Sequence, residues 1–127
     1  MSKAKLVKKL DAIFSKYIRW YYADDNGYVE CYTCGVHKHV KEMHNGHFQS
    51  RRHYSTRWNI NNCRPQCPRC NLFAQGEQYI FGQKLINEIG EDAVNDIIAL
   101  SKTTSKFAAY EYQELIDKYK NKLNKLM

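Results

Sequence analysis

A chain of 127 residues, 43% of them hydrophobic and 26% charged, fits one domain with helical arms at its ends. No apolar run approaches the roughly 20 residues that cross a bilayer, and no apolar segment of the kind a secretory signal needs follows the basic stretch Met1–Lys9. A membrane partner is therefore excluded and a cytoplasmic location expected. The formal charge of +7 is unevenly placed. Residues 1–22 carry six Lys/Arg against one acid and residues 37–70 carry seven against one, whereas residues 71–117 carry three against eight. The basic excess falls on the stretch that also holds the Cys and His residues, which points to a polyanionic partner.

In chain order, Leu6, Leu10, Ile13, Phe14, Tyr17, Ile18 and Tyr21 recur at three- and four-residue steps, which predicts an amphipathic helix over residues 3–22 within an N-terminal segment 1–25. Asp24-Asp25-Asn26-Gly27 ends it in a turn. A short strand is expected over Tyr28–Tyr32, and others near Val36–Val40, Gly46–Gln49 and Thr56–Trp58, in a Gly-, Asn-, His- and Arg-rich region without helical period. Helix is expected again from Asn71 to about Ile89, although Gly76 and Gly82 weaken its continuity. Gly90 suits its end, and a second helix follows over Glu91–Leu100. A third helix, capped by Thr103 or Thr104, is expected from about Ser105 to Lys125. The class is α+β: a core over residues 28–90 with few large aliphatics, between an N-terminal helix and C-terminal helices over residues 91–127.

That core calls for a staple. Cys31 and Cys34 form one C-x-x-C, Cys67 and Cys70 another. Two sulfurs three positions apart converge on one ion when the chain makes a tight knuckle, and Gly35 suits the turn after the first pair. An odd number of cysteines in paired C-x-x-C spacing favours thiolates on metal over disulfides. Four thiolates leave no open position, so a zinc ion held there is structural. Cys63 has no ligand spacing and is expected to be a small buried residue.

His47 lies between the two pairs, Asn62 five residues before Cys67, and Asn71 directly after Cys70. This register, with Gly-His-Phe-x-Ser-Arg, Thr-Arg-Trp-Asn-x-x-Asn and Gln-Cys-x-x-Cys-Asn, resembles the HNH or ββα-metal nuclease motif in its His-Asn-Asn form. The pattern looks like the NinG/Rap recombination endonucleases of lambdoid phages, and more distantly like the phage endonuclease VII group. The resemblance covers about residues 28–90. It implies a zinc-bound ββα-metal core that cuts DNA at branched recombination intermediates, such as Holliday junctions or D-loops. If the chain is phage-encoded, it would act in the host cytoplasm.

Phosphodiester hydrolysis needs an activated water and a cation to neutralise charge developing at phosphorus. A neutral imidazole with an ordinary pKa near 6.5 takes a proton at cellular pH, so His47 is the candidate base, with activity expected to rise between about pH 6 and 8. Asn62 is the candidate for fixing the backbone around His47. Asn71 offers a carbonyl oxygen to a catalytic Mg²⁺ or Mn²⁺ ion. Many HNH enzymes place an Asp ligand just before the His, where this chain has Gly46. His44, Asn45, Glu42 and His53 are the nearest replacements, and a role for His47 as ligand with another His as base stays open.

Arg51, Arg52, Arg57, Arg64 and Arg69 are candidate phosphate contacts. His53, Tyr54 and Trp58 lie among them as candidates to stack on unpaired bases. The lysine-rich first helix is a candidate second DNA contact. Two nicks at a junction would favour a homodimer, for which the C-terminal helix is one route. The competing reading is a non-catalytic zinc-ribbon DNA-binding or adaptor protein.

Overall fold

A computed structural model describes all of residues 1–127. The first helix, α1 (Lys3–Tyr21), starts at Ser2, whose Oγ accepts from the Lys5 N–H at 3.3 Å. It buries Leu6, Leu10, Phe14, Tyr17 and Ile18. The last helix, α5 (Ala109–Leu126), lays Tyr112, Ile116, Tyr119 and Leu123 against that stripe. Phe14 and Tyr119 meet edge to face at 4.8 Å between ring centroids, a geometry aromatic quadrupoles favour. The apolar stripe of α5 is thus covered within the chain by α1.

Between these helices lie two hairpins. β1 (Tyr28–Glu30) pairs antiparallel with β2 (His37–His39), carrying the first C-x-x-C in its connection. β3 (His44–His47) pairs antiparallel with β4 (Cys63–Gln66), with His44 opposite Gln66 and His47 opposite Cys63. Gly35 sits at φ +82°, the left-handed position expected after the first knuckle, and its N–H closes on the Cys31 carbonyl at 3.0 Å. No helix is long and apolar enough to cross a membrane.

Several elements differ from expectation. Thr56–Trp58 is no strand: Tyr54–Arg57 forms one helical turn, α2, and Trp58 is buried against Tyr112 and Phe107. The helix expected from Asn71 to Ile89 is broken. A π-helical turn spans Arg69–Phe73, and Gln75, Gly76 and Glu77 all have positive φ before α3 (Gln78–Ile89) begins. Three consecutive left-handed residues cannot continue a right-handed helix. α4 (Glu91–Ser101) follows as expected. The final helix begins at Ala109 rather than Ser105, and its cap comes from Glu111, whose carboxylate accepts from the Ala108 N–H at 2.9 Å, not from a threonine. α3 and α4 pack Phe81, Leu85, Val94 and Ile97 with Phe48 into a small satellite core. The architecture is α+β, with its hairpins set between helices from both ends of the chain.

Candidate active site and metal centre

The four sulfurs of Cys31, Cys34, Cys67 and Cys70 all lie within 4.8 Å of one another. Cys34 Sγ and Cys67 Sγ are 3.7 Å apart, close to the edge of about 3.8 Å that a tetrahedron with bonds of about 2.3 Å requires. The donor set fits a structural zinc ion. Burial works against a thiolate at Cys31, but the N–H groups of Cys67 and Cys34 and the Thr33 hydroxyl overcome it and hold that thiol at about 6. Burial and the neighbouring sulfurs push Cys70 up to about 12. Four crowded thiols do not ionise together without a cation, and a dication removes that penalty. Cys63, fully buried beside Trp58 and α1, takes no part, and burial raises its pKa.

Beside this centre runs a cleft of about 860 Å³ whose wall includes His44, Asn45, His47, Arg51 and Asn71 together with Lys8, Asp11 and Arg19 of α1. β3, which pairs only with β4, supplies His44, Asn45 and His47 to that wall. His47 Nε2 lies 2.9 Å from the Arg57 carbonyl oxygen. A carbonyl only accepts, so Nε2 carries the proton and Nδ1 keeps a free lone pair. Burial pushes the His47 pKa down to about 4, against the opposing effect of the Arg57 carbonyl, and Arg51 adds to the depression. The imidazole is therefore already neutral at pH 6, which moves the titration expected between pH 6 and 8 below that window.

Asn62 is fully buried and clamps the loop between β3 and β4. Its Oδ1 accepts from the Gln49 N–H at 2.7 Å, and its Nδ2 donates to the Gln49 and Thr56 carbonyls at 3.1 and 3.0 Å. Gln49 is two residues beyond His47, and Thr56 precedes the residue whose carbonyl holds the imidazole. Asn62 is thus placed to aim His47 through the backbone.

Asn71 and His44 come together: Asn71 Nδ2 donates to His44 Nδ1 at 3.0 Å, which leaves the Asn71 carbonyl oxygen and His44 Nε2 outside that bond. Asn45, whose buried Oδ1 has no hydrogen-bond partner, lines the same cleft. Glu42 and His53 do not line it. Position 46 has no room for a ligand: a Cβ there would stand 2.0 Å from Gln66 Oε1. The cross-strand Gln66 carboxamide fills that space, its Nε2 donating to Thr33 Oγ1 at 3.1 Å and the Gly76 carbonyl at 2.8 Å. His44, two residues upstream of Gly46, is the one that meets Asn71. The donors beside His47 are the His44 imidazole and the Asn45 and Asn71 carboxamides, a softer set than carboxylates, and the carboxylate that lines the cleft, Asp11, is held by arginines.

The arginines divide. Arg52 and Arg69 are exposed. Arg51 is mostly exposed and reaches Asp11 at 3.1 Å. Arg57 is engaged by Asp11 through Nε and Nη2 at 3.0 and 2.5 Å. Arg64 is only 2% exposed and spends its guanidinium on Glu88 and on the Ile60 and Cys63 carbonyls, which corrects the expectation of a phosphate contact. Trp58 is likewise no stacking platform, since its ring is buried and its Nε1 donates to Asp11 Oδ1 at 2.9 Å. Asp11 is the residue that sequence reasoning missed. As the lone acid among residues 1–22 it was visible, but its partners lie 40 or more residues away.

A family model, described as NinG: Bacteriophage Lambda NinG protein, matches residues 1–127. No curated protein and no solved structure matches.

Proposed function

The chain belongs to the NinG family, and from that premise we propose that it is a metal-dependent endodeoxyribonuclease of the HNH type, acting on branched recombination intermediates. One observation carries the reading. His47, fixed through Nε2 on the Arg57 carbonyl and neutral at cellular pH, faces a basic cleft that it shares with the His44–Asn71 donor pair. A half-buried imidazole anchored through Nε2 beside the cleft, with Nδ1 left to accept a proton, is the arrangement a general base needs.

In this reading His47 Nδ1 accepts the proton of the attacking water, and the Arg57 carbonyl supports the imidazolium that forms. Asn62 keeps that geometry as a positioning residue. His44 and Asn71 would hold the divalent ion, which supplies charge neutralisation at the phosphate when bound. Lys8, Arg51, Arg52 and Arg69 remain available for the DNA backbone, so α1 contributes to binding as well as to the core. Zinc in the four-cysteine centre fixes Asn71, the residue after Cys70, relative to β3.

The test is a panel of four-way junctions, flaps, single strands and linear duplexes incubated with zinc-loaded protein and Mg²⁺, Mn²⁺ or neither. Nicking of branched DNA, faster in Mn²⁺ and lost in Asn71→Ala with DNA binding kept, is the expected result. Binding without cleavage of any substrate would make the protein a zinc-ribbon DNA-binding module instead.

A further inference from the structure

The residues just after Asn71 and those at the start of α3 present an apolar lip that nothing in the chain covers. Phe73 is 82% exposed, Tyr79 79% and Leu72 59%, and Ile80 is exposed beside them. Four large apolar side chains exposed within the nine-residue segment 72–80 mark a binding surface. Leu72 lines the cleft itself. Phe73 is two residues from Asn71, so its Cα lies within about 7 Å of that of Asn71. Tyr79 follows Gln78, whose amide donates to the His47 carbonyl at 3.3 Å. Both aromatics are therefore tied by the backbone to opposite members of the candidate active site. The positive φ values at Gln75, Gly76 and Glu77 separate Leu72 and Phe73 from the first turn of α3.

We propose that Phe73 and Tyr79 stack on unpaired bases at the branch point of a DNA substrate, holding the adjoining phosphate at the cleft; this rests on the nuclease reading above. Aromatic faces take any base, which suits recognition of structure rather than sequence. Charge agrees with a nucleic-acid occupant: Arg69 is exposed at one end of the segment, Lys84 at the other, and Glu77 is the one acid between them. Of the three stacking candidates the sequence offered, Trp58 is buried, His53 is half-buried, and Tyr54, at 37% exposed, is far less open than Phe73 or Tyr79. A second copy of the chain, the competing occupant, would cover the lip and close the cleft that Leu72 lines.

The experiment uses zinc-loaded full-length protein in Mg²⁺-free buffer, with a flap and a fully paired duplex, the flap carrying 2-aminopurine at the branch. Binding by the wild type is expected to change 2-aminopurine fluorescence. The double variant Phe73→Ala, Tyr79→Ala should lose that change and bind the flap about tenfold more weakly, with duplex affinity altered less than about twofold. Tyr79→Phe and Phe73→Trp should retain wild-type behaviour. Equal losses on both DNAs, no loss on either, or a shift from dimer to monomer in sedimentation with binding unchanged would each overturn the proposal. Binding is read without cleavage. A wild type that binds and never cuts defeats the nuclease reading alone, and one that cuts while the double variant binds normally defeats the lip alone.

Discussion

The two halves of this molecule are held together by different physics. Where α1 meets α5, Leu6, Leu10, Phe14 and Ile18 pack against Tyr112, Ile116, Tyr119 and Leu123, each such side chain contributing about 1.5–3 kcal/mol by leaving water. Around the knuckles the core is Val29, Val40 and Met43 with Cys31, Cys67 and Cys70, too small to hold a fold without a metal. The cleft lies on the seam, taking Lys8 and Asp11 from the apolar half and His44, His47 and Asn71 from the cysteine half. Asp11 joins the halves by receiving Arg51, Arg57 and Trp58. A site built on a seam depends on both kinds of stability, and each can be removed separately.

Removing zinc has the largest expected effect. Apparent zinc binding of about 10–16 kcal/mol in finger peptides matches or exceeds the about 5–15 kcal/mol that holds a whole domain. Stripping the metal, or Cys67→Ser, should unfold the knuckles and abolish function while α1 and α5 keep part of the helical signal. Far-UV circular dichroism against zinc release reads this, and loss of all helix in a single step would break the comparison.

Asn62→Ala tests the clamp inside the cysteine half. Three buried hydrogen bonds at about 1 kcal/mol each predict about 3 kcal/mol of destabilisation in denaturant unfolding. Asn61→Ala, at an exposed neighbour, should cost under about 0.5 kcal/mol. The arginines sharpen the contrast at the small end. Arg64→Ala, which leaves the Ile60 and Cys63 carbonyls without the guanidinium that served them, should cost about 2 kcal/mol. Arg52→Ala should leave stability alone and lower the salt dependence of DNA binding by about one ion.

Much of this was legible in the sequence because it is local. The stripe of α1, the knuckle spacing with its left-handed Gly35 and the limits of α4 are set by residues within a few positions of one another. What escaped is non-local. β4 reads Cys-Arg-Pro-Gln, with little strand propensity, and exists because β3 pairs with it and all four residues are buried. Thr56 and Trp58 read as strand by type, yet α2 ends between them because Asn62 takes the Thr56 carbonyl and Asp11 takes the Trp58 indole. At the site, His47, Asn62 and Asn71 were visible by register with the cysteines. The partnership of His44 with Asn71 was not, because it depends on how β3 meets the turn after Cys70.

The proposed role of His47 as a neutral, oriented base is read by single-turnover cleavage of a four-way junction by wild type and His47→Ala between pH 6 and 8. With a pKa near 4, His47 is unprotonated throughout that window. A base already neutral at pH 6 gives a flat wild-type profile, and its removal slows cleavage by about 10²–10⁴. Equal rates for the two proteins, or a wild-type rate that climbs through a midpoint near 6.5, would contradict it.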